Sequence, residues 1–218
     1  MATSTVEDYV KRIFLEQQEL GEDPVPMGRV ASTLGVVPGT TTTMMKALDD
    51  AGLVKYEPRV GVRLTTAGEN LALHILRRHR LIELFLVRIL GMDWSEIHNE
   101  AEQLEHAISD LVLDKIDALL GHPSADPHGD PIPTAKGDLD QPKLDSLCDC
   151  PLHRPVCIAR IADQSPEFLH FIDQKGLKPG VELLLKERDP AADAITVRIS
   201  TGRRITLGSR AAEKILVD

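Results

Sequence analysis

At 218 residues with 42% apolar and 27% charged side chains, the chain has the make-up of an ordinary globular protein of one or two domains, not of a collagen-like, prion-like or disordered one. Its formal net charge of −9 argues against a nonspecific nucleic-acid binder. The layout is uneven, because residues 24 to 68 hold five basic side chains against three acids whereas residues 71 to 120 hold five against nine.

Residues 4 to 19 read as a helix: Val6, Tyr9, Val10, Ile13 and Phe14 recur at three- and four-residue spacing behind a Ser4-x-x-Glu7 capping pattern. Gly21 and Pro24 end it. Met27 to Leu34 reads as a short helix, Gly35-Val36-Val37 as a turn, and Pro38 to Ala51 as a further helix stopped by Gly52. LVKYEP and GVRLT, flanking Pro58 to Gly61, have the residues of a two-stranded hairpin. Ala67 to Leu90 and Ser95 to Leu120 then read as two long helices. From Gly121 to Pro155 seven of the fourteen prolines fall in a stretch without sustained period, which reads as a linker or long irregular connection. Beyond it, VCIARI, VELLLKE, AITVRIS and RRITLG favour a small β-barrel or sandwich, with LHFIDQKG as one short helix inside it.

Helix, turn with glycine, helix and hairpin is the order of a winged helix-turn-helix, whose second helix enters the major groove of DNA. The candidate reading helix is VPGTTTTMMKAL, with Gly39, Thr40, Thr42 and Thr43 at its start, where small hydroxyl side chains can approach phosphates or base edges. Arg59 and Arg63 on the hairpin, and Arg29 before it, are the candidate backbone contacts. A poor, exposed helix start is the plainer alternative for the threonines.

Along the helix from Ser95, His98, Glu102, Glu105 and His106 share one face by helical spacing. Ser95 to Asp114 holds six acids and no lysine or arginine, so the like charges repel unless a cation compensates them. His79 and Glu83, four apart on the preceding helix, offer the same chemistry, and Asp8 could join from the first helix. The plainer readings are a solvated acidic face, a surface His–Glu pair and an acid favoured by the helix dipole. Their apolar neighbours Ala101, Ile108 and Val112 argue for partial shelter. Neither H-E-x-x-H nor G-x-S-x-G nor a phosphate-binding glycine pattern is present, so an enzyme is not expected. A metal hydrolase built on the His98 to His106 cluster is the catalytic alternative.

VEDYVKRI, LVKYEPRVGVRLTTAG, RRHRLIELFL, IHNEAEQLEH and HGDPIP, in that order, resemble the DtxR/MntR family of metal-activated transcriptional repressors over nearly the whole chain. The resemblance implies a mainly α protein with a C-terminal β domain. Its parts would be a winged helix over 1–70, a helical metal-binding and dimerisation domain over 71–135, a linker over 136–152 and an SH3-like, FeoA-like domain over 153–218. It implies a primary metal site on Asp8, Glu102, Glu105 and His106 and a second on His79, Glu83 and His98, with Asp163 the best candidate for a ligand lent by the barrel and Gln164 the next.

In iron-responsive members the first two primary positions carry methionine and cysteine. Asp8 and Glu102 replace soft sulfur with hard oxygen, which favours Mn(II) over Fe(II), the alternative; other divalent transition metals would bind in vitro. Lys11 stands where short manganese-type members have a glutamate, so their two-metal arrangement does not transfer directly. The expected partners are double-stranded operator DNA and a second copy of the chain, with no membrane and no small organic substrate. The expected function is repression of metal-uptake genes. Cys148, Cys150, His153 and Cys157 could hold zinc, but C-x-C-x2-H-x3-C is not a standard spacing and reduced thiols are the simpler reading. A cytoplasmic location is expected from the reducing cysteine usage, the lack of a membrane-length apolar run and a start without signal-peptide character.

Overall fold

A computed structural model of the chain describes residues 3–21 and 23–218. These divide into two compact units, one taking in the chain up to His79 with Pro133–Leu139, the other Arg80–Ile132 with Asp140–Asp218. The division falls inside a helix. Among the described residues no helix is long and apolar enough to cross a membrane.

The first unit begins with α1 (Ser4–Leu20), capped by Thr3, whose hydroxyl accepts from the Val6 amide at 3.4 Å. The cap is one residue earlier than the Ser4 pattern suggests. Tyr9, Val10, Ile13 and Phe14 bury the apolar stripe of α1 against Val30, Met45, Leu48, Val54 and Val62. α2 (Met27–Thr33), a turn with Gly35 at φ 65°, and α3 (Pro38–Asp50) follow, then the hairpin β1 (Val54–Glu57) and β2 (Gly61–Leu64). Asp49 accepts from the Tyr56 amide at 3.3 Å and so ties the wing to α3. α4 (Thr66–Arg88) starts where the Thr65 hydroxyl accepts from the Gly68 amide at 3.2 Å.

Thr41 is the one polar residue on the buried side of α3. It is 0% exposed and its hydroxyl has no hydrogen-bond partner. A buried hydroxyl without a partner costs more than an apolar group of the same shape. Thr41→Val is therefore expected to stabilise the protein by about 1 kcal/mol, read as a raised midpoint in urea unfolding; an unchanged or lowered midpoint would contradict it.

In the second unit the expected helix from Ser95 to Leu120 is two helices, α5 (Ile97–Leu104) and α6 (Asp110–Leu119). Ser109 is the reason: it adopts an extended conformation and its hydroxyl caps α6 by accepting from the Val112 amide at 3.4 Å. Glu105 thus lies at the C-cap of α5 and His106 just past it. Ala101 is buried as expected, whereas Val112 is 47% exposed.

The rest of this unit is a six-stranded antiparallel sheet in the order β3-β8-β4-β5-β6-β7: β3 (Asp145–Ser146), β4 (Pro155–Ile161), β5 (Glu182–Asp189), β6 (Ala194–Ile199), β7 (Arg204–Gly208) and β8 (Ile215–Val217). The four expected strands are β4 to β7, and of LHFIDQKG the first five residues lie in α7 (Pro166–Asp173), which starts earlier, at Pro166. β3 and β8 are too short to show an alternating pattern, and β3 falls within the expected linker. α8 (Ser209–Ala212) is also new. Ile158, Ile161, Leu169, Leu185, Val197 and Ile215 form the core, into which Trp94 also packs.

Candidate metal centre and nucleic-acid interface

Three stretches of the second unit bring ionisable side chains together: the C-terminal half of α4, α5 with its C-cap, and the loop after α6. Glu83 on α4 is 1% exposed, a position carboxylates occupy only with partners. Its two oxygens face different imidazoles, Oε1 lying 3.5 Å from His98 Nδ1 and Oε2 3.9 Å from His128 Nδ1. His98 Nε2 is 3.7 Å from Glu102 on the next turn of α5, and the fully buried Glu105 is 3.5 Å from His106 Nε2. His79 lies one turn before Glu83 on α4.

His128 has the setting of a metal-ligating histidine. Its Nε2 lies 2.9 Å from the Trp94 carbonyl oxygen, which can only accept, so Nε2 is the donor of that hydrogen bond. Its Nδ1 is buried and has no hydrogen bond. Stacking on Trp94, with centroids 5.5 Å apart, fixes the ring. Glu83, Asp126 and His128 each offer a ligand atom within 4.8 Å of the others, and all three are buried. Asp126 Oδ1 accepts from the amides of His128 and Asp130 at 2.8 and 2.9 Å, and Arg80 Nε lies 3.8 Å from Oδ2. Burial nevertheless raises the Asp126 carboxyl well above the usual range, helped by repulsion from Asp130 and Glu83 and opposed by Arg80. Positive charge placed there would reverse that balance.

Asp163 is engaged elsewhere: Lys214 Nζ is 2.6 Å from its Oδ2 and the Ser165 amide donates to Oδ1 at 2.9 Å. Partial burial alone would raise its carboxyl, but these hydrogen bonds outweigh it and hold the group low. Gln164 donates to Asp130 at 2.6 Å. Cys148 and Cys150 direct their thiols at the carbonyls of Ser209 and Leu147, burial raises all three cysteine thiols, and none joins a ligand group among the described residues.

In the first unit, Gly39, Thr40 and Thr43 are exposed on α3 and Thr42 is half-buried. Arg29 is held by Glu16 and Glu19, an ion-paired tie between α2 and α1. Arg59 sits at the wing tip with φ 68°, a left-handed conformation uncommon for a side chain of its size. Arg63 stands directly across from Lys55 in the β1–β2 ladder, and both are exposed. Like charges opposite one another destabilise a hairpin. A polyanion laid over this face would remove the repulsion.

Residues 1–62 match the iron dependent repressor N-terminal DNA binding domain, residues 65–134 the iron dependent repressor metal binding and dimerisation domain, and residues 146–218 the FeoA domain. The iron-dependent repressor IdeR of Mycobacterium tuberculosis is 30% identical over 161 residues, covering 71% of this chain and 69% of that protein. The chain belongs to the DtxR/MntR family of metal-dependent transcriptional repressors. The regulator MntR of Lysinibacillus sphaericus is 36% identical over 120 residues, 55% of this chain and 84% of that one. A solved manganese-dependent transcriptional repressor in complex with manganese superposes with a TM-score of 0.86 at 40% identity, covering 97% of this chain and 98% of that one.

The repressor's family has DNA-binding and metal-binding domains and is not one of enzymes. The sequence reading missed Asp126 and His128 as candidate ligands, although it singled out HGDPIP. An acid and an imidazole two residues apart in a proline-rich loop have no helical or strand period to mark a shared face. The available signal was the cost of a histidine and two aspartates within five residues that also hold Gly129.

Proposed function

We propose that this repressor is activated by Mn(II), binds operator DNA as a homodimer and represses metal-uptake genes. The carrying observation is the donor set: Asp8 and Glu102 supply hard oxygen where iron-responsive members carry sulfur, and Glu105 and His106 complete the primary site. The similarity to a repressor solved with manganese supports the same reading. The kinship with IdeR, named for iron, keeps Fe(II) as the second reading.

The second site is built around Glu83, with His79 and His98 as one ligand set and Asp126 and His128 as another. The buried carboxylates and the unbonded Nδ1 of His128 fit a divalent cation. When bound, the ion supplies positive charge that offsets the repulsion among these acids. The chain does the rest. Asp8 and Glu16 share α1, and Glu16 grips Arg29 of α2, so a restraint on Asp8 is passed to the helix pair that carries α3. DNA and metal then prefer the same conformation, and each tightens the other's binding by the same factor.

The test is DNA binding by full-length protein across a series of divalent metals. Mn(II) is expected to tighten binding by about 5- to 150-fold over the metal-free protein, the usual span of such couplings. Equal affinity with and without metal would refute activation, and a larger response to Fe(II) would overturn the choice of manganese.

A further inference from the structure

Trp94, the single tryptophan of the chain, stands in the turn before α5, where Asp93 accepts from the Ser95 amide at 2.9 Å. It is 5% exposed and packs into the core of the FeoA domain, with Lys178 Nζ 5.0 Å from the centre of its ring. The same residue meets His128: its carbonyl accepts from Nε2 at 2.9 Å, and the two rings stack at 24° to one another. One side chain thus belongs to the FeoA core and touches an imidazole of the metal centre.

The Ile161 amide of β4 donates to the His128 carbonyl at 2.8 Å, which places the backbone of the loop but leaves the imidazole to turn about its side-chain bonds. Trp94 removes that freedom: stacking sets the plane of the ring, and the hydrogen bond to the Trp94 carbonyl sets which nitrogen points away from it. A neutral imidazole that donates from Nε2 carries its lone pair on Nδ1. In His128 that nitrogen is buried, has no hydrogen bond and lies 3.9 Å from Glu83 Oε2. Asp163 and Gln164, the FeoA-domain candidates for a lent ligand, are engaged with Lys214 and Asp130. We infer that Trp94 is a positioning residue for the second metal site, through which the packing of the FeoA domain sets how tightly His128 holds the ion. This rests on the proposal that His128 is a ligand.

The experiment titrates Mn(II) into full-length protein carrying Glu105→Ala, which leaves the second site, and counts the free ion by electron paramagnetic resonance. Trp94→Leu keeps an apolar side chain in the FeoA core but removes the stacking plane. It is expected to weaken Mn(II) binding about tenfold, the lower end of what the outer partners of metal ligands contribute. Trp94→Phe restores a ring and should recover most of that loss. Affinity unchanged in Trp94→Leu, or lowered equally in both variants, would overturn the inference. Lys178→Met, at an exposed position, removes the cation over the indole without opening the core, and serves should Trp94→Leu not fold. Binding about two- to fivefold weaker is then expected, and native affinity would overturn the inference. If Mn(II) uptake is absent, or is undiminished by His128→Ala, the second site as proposed falls and this inference with it.

Discussion

Glu105→Ala is expected to remove the metal response of DNA binding altogether, a loss of the full coupling of about 5- to 150-fold, while the metal-free affinity stays where it was. Glu105 is 0% exposed, at the C-cap of α5 beside His106. A buried carboxylate is costly unless its charge is compensated, and a bound cation would add to that compensation, so the side chain favours the loaded state. Two measurements check this. In the variant, Mn(II) should raise the thermal midpoint less than in the native protein, because only the second site remains to bind it, and it should no longer tighten operator binding in anisotropy titrations. A variant whose midpoint and affinity both still rise with Mn(II) as in the native protein would remove Glu105 from the primary site.

Gly129→Ala is expected to destabilise the second unit by more than about 3 kcal/mol, beyond the range of ordinary point substitutions. A Cβ on Gly129 would lie 2.0 Å from the Ala159 carbonyl oxygen and 2.8 Å from the Arg160 Cα, and the residue has φ +90°. Neither obstacle is a flexible side-chain end. The Ile161 amide also donates to the His128 carbonyl at 2.8 Å, so the loop cannot back away without breaking its seam with β4. Gly180→Ala supplies the control: its φ is +87° but nothing lies within 4 Å of the added carbon. It should cost only about 1–2 kcal/mol, the penalty for a left-handed backbone alone. Equal urea midpoints for the two variants would show that the close approach to β4 carries no energy.

The winged helix was legible because each of its elements carries a local signal: the apolar stripe from Val6 to Phe14, the glycine turn at Gly35, and β-formers on both sides of Pro58. The break between α5 and α6 was not, because the run of acids and histidines continues at helical spacing through the point where Ser109 starts a new helix. His98, Glu102 and Glu105 were visible as a face, and the structure keeps His98 and Glu102 together. The engagement of Asp163 with Lys214, 51 residues further on, depends on strand pairing that no spacing reveals. Arg29 illustrates the converse: as a lone cation it reads as a DNA contact, and only the packing of α1 on α2 shows the two glutamates that hold it.

The facing of Lys55 and Arg63 across the wing has a consequence for how the repressor senses its ionic surroundings. Dissolved salt screens their mutual repulsion and so steadies the unbound hairpin. The same salt competes for the phosphates these two cations would otherwise neutralise. Both effects push towards release, so with the wing on the operator as proposed, occupancy would depend on electrolyte more steeply than counting its positive charges alone suggests.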